Sequence, residues 1–242
     1  MATALARGLR EPVLVSDVDG DRARRLAEET GGEALGSNAE VAESADAVVL
    51  CHKPQQLEEV AAEVGERAAC VVSILAATRT DQLEAAYPGV PVYRFIPNLP
   101  VEVRRGVLCY SPGSRASEGP EREILELFGR LGAVIPLEEP LMEPAMALMS
   151  CGPAFMAAVV EALTDAGGRH GLEQDDAVRM TVETMAGTAA YLSAHELDAG
   201  ALRTRVATPG GVTERGLETL GERGLADAVG AAVDTVVEAT RR

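Results

Sequence analysis

Six short apolar runs separated by helix-length segments constrain this chain more than any other feature. Val13-Leu14-Val15, Ala47-Val48-Val49-Leu50, Val71-Val72-Ser73-Ile74, Val90-Pro91-Val92-Tyr93, Val107-Leu108-Cys109-Tyr110 and Ala133-Val134-Ile135-Pro136 read as buried strands. Between them, 21–30, 38–44, 54–64, 80–86 and 120–131 read as helices. Continuous apolar strands alternating with helices predict a mostly parallel sheet covered on both faces, a doubly wound α/β domain.

The pattern changes near residue 138. From Glu139 onward there is helical periodicity and no convincing strand, and 153–166 carries only two charges, Glu161 and Asp165. A helix that is apolar nearly all round needs cover on every side. A helical segment of about 100 residues is too small to bury several such helices alone. A second copy of the chain solves this, so at least a homodimer is expected. No uninterrupted apolar run approaches ~18 residues, which predicts a soluble protein without a membrane partner.

The net charge of −16 over 242 residues argues against binding a nucleic-acid backbone or an anionic membrane. An anionic small molecule would then need a local positive site. Cys51, Cys70, Cys109 and Cys151 are scattered, without the C-x-x-C spacing of a metal site and without a recognisable secretory leader. They read as free thiols in a reducing cytoplasm. His52, His170 and His195 suggest no metal-ligand set, so no metal is expected.

Two places invite a ligand. The chain opens on a helix, "MATALARGL", with no strand before it, and Asp17 follows the first apolar run. In a dinucleotide-binding fold the order is strand, glycine-rich turn, helix, strand, then an acidic or polar residue about 20 positions past the glycines. Asp17 takes that last position if the glycines lie just upstream of Met1. The other place is "TPGGVT", 208–213, two glycines and two threonines at the mouth of a helix. Free backbone N–H groups and the helix dipole there suit a carboxylate or phosphate, while an ordinary helix–helix connection explains the same letters.

With these residues assembled, the chain resembles the pyrroline-5-carboxylate reductase family over essentially its whole length. Met1-Ala2 match the last two positions of the family's Gly-x-Gly-Asn-Met-Ala, and Lys53-Pro54-Gln55 resembles its Lys-Pro motif after a strand. Ser73-Ile74-Leu75-Ala76-Ala77 resembles the next strand end, with Ala77 where the family has glycine. Arg94-Phe95-Ile96-Pro97-Asn98-Leu99-Pro100 is similar to Arg-x-Met-Pro-Asn-Thr-Pro. Ser150-Cys151-Gly152-Pro153-Ala154-Phe155 stands for Gly-Ser-Gly-Pro-Ala-Tyr, and "RVATPGGVTERGL" resembles the C-terminal signature closely. The family's first strand and glycine-rich turn have no counterpart here.

The resemblance implies a Rossmann-like dinucleotide-binding domain over 1–138, missing its first strand, and an all-helical dimerisation and substrate domain over 139–242. It implies hydride transfer from NADPH, with NADH as an alternative, to the imine carbon of 1-pyrroline-5-carboxylate, giving L-proline. Thr213 and Glu196 are the implied catalytic residues, one near the ring nitrogen and one favouring the iminium. Thr208, Gly210, Gly211 and Val212 would bind substrate, and Asp17, Asn38, Lys53, Pro54, Ala76 and Asn98 the cofactor. Without a glycine-rich turn, a dimerising relative with a structural role, or a reductase of another cyclic imine, stays open.

Overall fold

The computed structural model describes residues 1–195 and 198–240. The chain divides into two compact units, Met1–Pro153 and Ala154–Arg242.

The first unit runs α1 (Ala2–Leu9), β1 (Leu14–Val15), α2 (Gly20–Thr30), β2 (Glu33–Ala34), α3 (Asn38–Ser44), β3 (Val48–Leu50), α4 (Leu57–Val64), β4 (Val71–Ser73), α5 (Thr80–Ala86), β5 (Val92–Pro97), β6 (Gly106–Pro112), α6 (Glu121–Gly129), β7 (Gly132–Pro136) and α7 (Met142–Met149). All six expected strands are present. β2 is an additional strand, not among the six expected, since Glu33-Ala34 forms no apolar run.

The strands form two sheets, β1-β2 and β3-β4-β5-β6-β7. Neighbours are parallel except β5 and β6, which are antiparallel, paired from Tyr93↔Pro112 to Pro97↔Leu108. The break falls between the strand leading to Asp17 and the strand leading to Lys53.

Side-chain alternation explains why both faces are covered. On β4 and β5, Val72, Tyr93 and Phe95 join a core with Leu5, Tyr110, Phe128 and Leu131. Val71 and Val92 point the other way, to Leu50, Val60, Val64, Leu83 and Tyr87. Phe95 stacks on Tyr110 and on Phe128 with centroids 4.8 and 4.5 Å apart. Ile96 continues the second face and packs with Cys109 and Met142, placing α7 over β5 and β6.

Caps set the element ends. Asp19 accepts from the N–H groups of Asp21 and Arg22 at 3.1 and 3.2 Å to start α2, and Gly31 ends it in the left-handed region, φ 69°. Ser37 caps α3 through the Glu40 N–H. At the end of α1, Arg104 donates to the Gly8 and Leu9 carbonyls at 2.7 and 2.8 Å. Cations there complement the negative end of the helix.

The second unit is helical: α8 (Gly152–Arg169), α9 (Gln174–Ala194), α10 (Ala199–Val206), α11 (Val212–Glu222) and α12 (Leu225–Thr240). Met156, Leu163, Met180, Leu220 and Val229 are exposed. An 18-residue window within Glu139–Arg169 reaches a mean hydropathy of 1.6 with 6% of it buried. By length and composition this stretch passes for a membrane span, a test that the apolar core helix of a soluble protein passes as well, and it contains no uninterrupted apolar run of that length. Its apolar character is spread over helices broken at Ser150-Cys151 rather than one uninterrupted run. That is why a search for unbroken apolar letters passes over it.

Candidate functional site

In the first unit the dinucleotide-binding candidates gather at the C-terminal ends of parallel strands, the edge where ligands of open α/β sheets bind. Asp17 lies two residues beyond β1, its side chain 27% exposed. Its Oδ1 accepts from the Asp19 N–H at 2.9 Å, and its Oδ2 lies 3.6 Å from Nη1 of Arg22. The carboxylate is thus held in orientation, with a flexible, exposed guanidinium beside it. Neighbouring Asp19 sits below the usual carboxylate range, chiefly because it accepts the Arg22 N–H.

Asn38 opens α3, so its side chain is no cap; Ser37 supplies the cap. Its Oδ1 accepts from the Ser16 hydroxyl at 2.6 Å and its Nδ2 donates to Glu63 at 2.8 Å. One amide proton and one lone pair remain for a ligand. Lys53 is exposed, and its N–H donates to Gln56 Oε1 at 3.2 Å as Pro54 begins a 3₁₀ turn. His52, just before it, donates from Nδ1 to the Lys53 carbonyl at 2.9 Å, while its Nε2 is buried without a partner among the described residues. Ala76 is exposed after β4, and Ala77 takes φ +53°, the left-handed region that favours glycine.

Asn98 differs from the others. It is buried, its Oδ1 accepts from the Val107 N–H and its Nδ2 donates to the Met149 carbonyl, both at 2.9 Å. With Ser150 donating to the Pro97 carbonyl at 3.1 Å, it ties the end of β5 to β6 and to the end of α7. Arg94 secures the start of that helix. This fully buried guanidinium reaches Glu139 and Glu143, and Thr80 donates its hydroxyl to Glu139. Arg94 stands in a motif legible in the sequence, but the cluster is not, because its glutamates lie 45 and 49 residues away.

These residues suit a nicotinamide dinucleotide: an oriented acid at a strand end, an amide with spare capacity, and an unpartnered buried ring nitrogen. A glycine-rich pyrophosphate turn has no counterpart among the described residues.

In the second unit the Thr208–Thr213 turn enters α11. Gly210 is left-handed, φ +74°. Gly211 is the N-cap with no side-chain cap, and its N–H closes the turn onto the Thr208 carbonyl at 2.9 Å. A Cβ on Gly211 would meet the Thr208 Oγ1 at 2.6 Å and its carbonyl oxygen at 2.8 Å, so glycine is required by the turn itself. The Val212 and Thr213 N–H groups and the Thr213 hydroxyl have no partner among the described residues. The Gly210 N–H is held by Glu214 Oε2 at 2.6 Å. Glu214 was missed earlier, although an acid at the third helical position after Gly211 is a legible capping signal. Glu196 lies outside the described residues. Among the described residues no group of three His, Cys, Asp or Glu side chains is placed to hold a metal ion.

A doubly wound dinucleotide-binding unit followed by a helical unit defines a nicotinamide-dependent oxidoreductase with a dimerisation domain. Residues 139–242 match a family model described as pyrroline-5-carboxylate reductase dimerisation, and residues 1–77 one described as NADP oxidoreductase coenzyme F420-dependent. The pyrroline-5-carboxylate reductase of Glycine max is 31% identical over 100% of this chain and 91% of its own length. That of Mycobacterium leprae is 33% identical over 88% and 81%. A pyrroline-5-carboxylate reductase structure from Coxiella burnetii superposes with a TM-score of 0.89 at 25% identity, covering 99% of this chain and 93% of that one. One from Plasmodium falciparum, with NADP bound, gives 0.87 at 22% identity over 98% and 92%, a likeness of fold. The chain belongs to the pyrroline-5-carboxylate reductase family.

Proposed function

We propose that the chain reduces 1-pyrroline-5-carboxylate to L-proline with NADPH, NADH being the alternative donor. The carrying observation is the mouth of α11. Its Val212 and Thr213 N–H groups, without partners among the described residues, offer two donors to a carboxylate, and the Thr213 hydroxyl, likewise without a partner among them, stands beside them. Thr208, Gly210 and Gly211 shape this turn. Thr213 is the candidate partner of the ring nitrogen, and Glu196 the acid that favours its protonated form.

The nucleotide, when bound, supplies the hydride. Asp17 and Asn38 would hold its adenosine end, Lys53 and Pro54 would line its path beside His52, and Ala76 lets it pass close to the end of β4. Asn98 serves the same edge indirectly, by fixing the end of β5. Asp17 accepts from a ribose hydroxyl, and Arg22 beside it supplies the positive charge that a 2′-phosphate needs.

Residues 1–138 would act as the nucleotide domain and 139–242 as the dimerisation and substrate domain. The exposed apolar side chains of α8, α9, α11 and α12 support cover by a second copy, at least a homodimer. Four free cysteines favour a reducing, cytoplasmic setting.

Thr213→Ala tests the reading. A lost hydrogen bond to a charged group costs roughly 1.5–3 kcal/mol, or roughly 10- to 150-fold in kcat/KM. Thr213→Ser, which keeps the hydroxyl, should retain most activity. Undiminished imine reduction by Thr213→Ala would reduce Thr213 to a helix residue.

A further inference from the structure

Asn38 keeps hydrogen-bonding capacity for a ligand although its side chain is gripped from two sides. Its Oδ1 accepts from the Ser16 hydroxyl at 2.6 Å and its Nδ2 donates to Glu63 Oε2 at 2.8 Å. The three residues come from separate elements. Ser16 directly follows β1, beside Asp17, Asn38 is the first residue of α3, and Glu63 lies near the end of α4. Ser16 and Glu63 stand 22 and 25 residues from Asn38 in the chain. A second tie keeps α4 against α3: Arg67 donates to the Glu63 carbonyl at 3.0 Å and to Glu43 Oε1 at 3.1 Å.

The two partners of Asn38 are not equivalent. A hydroxyl both donates and accepts, so Ser16 tolerates the Asn38 amide either way round. A carboxylate only accepts, so Glu63 attracts the amide nitrogen and repels the amide oxygen. Glu63 therefore decides which end of the amide faces Ser16, and with it which donor and acceptor stay free. By charge alone a carboxylate this close to an anion's seat is unfavourable. What it contributes is orientation.

We propose that Glu63 is a positioning residue for the adenosine end of the nucleotide, acting through Asn38 by holding its amide in one orientation. This rests on the reading that Asn38 touches the nucleotide. The remaining Nδ2 proton and Oδ1 lone pair form a fixed donor–acceptor pair. Such a pair suits groups that both accept and donate, as ribose hydroxyls do, better than groups that only accept. A released asparagine at a helical position has about two χ1 wells and two amide orientations, about four states in all. Apparent affinity falls with the fraction of time spent in the competent one.

The experiment titrates NADP⁺ and its fragment adenosine 2′,5′-bisphosphate by calorimetry at about 0.5 M salt, where charge–charge attraction is screened. The proteins are the parent, Glu63→Ala, Glu63→Lys, Glu63→Ala with Ser16→Ala, and Asn38→Ala with and without Glu63→Ala. Kd for both ligands should weaken roughly twofold in Glu63→Ala, which frees the orientation, and roughly fourfold when Ser16→Ala frees the rotamer as well. Glu63→Lys should weaken binding at least as much as Glu63→Ala, because an ammonium only donates and draws the amide oxygen. Simple charge attraction would tighten it instead. KM for NADPH should rise in parallel, with kcat unchanged within about twofold, since the hydride leaves from the other end of the nucleotide. In the Asn38→Ala background, Glu63→Ala should change nothing. Binding as tight as the parent's in Glu63→Ala or Glu63→Lys, or a Glu63→Ala loss that persists without Asn38, overturns the proposal. Should the Ser16→Ala double variant fail to fold, Glu63→Lys decides alone. If NADP⁺ fails to bind the parent, or Asn38→Ala leaves Kd unchanged, Asn38 is not at the nucleotide, and that reading falls together with the proposal.

Discussion

Arg94→Met would test how the first unit holds α7. The guanidinium is fully buried, and the carboxylates it meets are mostly buried, with side chains 17% (Glu139) and 19% (Glu143) exposed. Removing the cation leaves two neighbouring carboxylates inside the protein, aided only by the Thr80 hydroxyl and N–H on Glu139. Breaking a buried ion pair from one side costs about 3–5 kcal/mol. The Nε of Arg94 has no partner among the described residues, so the parent arrangement is less than ideal, and the lower end of that range is expected. For a unit of this size, each kcal/mol moves Tm by about 2–4 °C, so a fall of roughly 6–12 °C follows. Methionine fills much of the arginine's volume, which separates the lost charge from a cavity. Adding Glu139→Gln to Arg94→Met should recover part of the loss, because it removes one stranded charge, whereas Glu139→Gln alone should destabilise. The assay is a double-mutant cycle on urea unfolding and calorimetric Tm. An Arg94→Met protein within about 1 kcal/mol of the parent, or strictly additive single changes, would refute the view that this cluster is an energetic clamp.

Two further outcomes are open to measurement. Ala77→Gly should stabilise by about 0.5–1 kcal/mol: the left-handed conformation costs a Cβ-bearing residue about 1–2 kcal/mol, partly offset by glycine's larger unfolded-state freedom. An unchanged or lower urea midpoint would show that the loop pays no such strain. Stability should also fall from pH 9 toward pH 12. Burial pushes the Cys70 thiol up to about 11 and the Tyr87 and Tyr93 hydroxyls up to about 12, so the folded state keeps protons that the unfolded chain releases. Their contribution is complete below pH 9 and is lost on going up, and Cys70→Ala should remove part of the early decline, which the Cys109 thiol, also pushed up by burial, shares. A urea midpoint that stays level between pH 8 and 10.5 would contradict this.

The letters of the sequence determined the layers. Val71-Val72-Ser73 and Val92-Tyr93 are apolar on both faces, so each had to be a strand buried between helices, and the low-charge 153–166 stretch had to be a helix in want of cover. They also determined which motif residues stand near which strand end, because a strand and its following turn are local in sequence. Tertiary structure alone decided the long-range matters. It reversed β6 against β5, a pairing that local composition does not encode. It turned Asn98 inward between Val107 and Met149, and it brought Glu139 and Glu143 to a buried Arg94. Hydrogen bonds and ion pairs between distant segments leave no periodic trace, since each partner's identity makes sense only once the chain has folded. Even the local turn kept one feature back. Glu214 was legible as a capping acid, but that it reaches past Gly211 to Gly210 depended on Thr208 having closed the turn first.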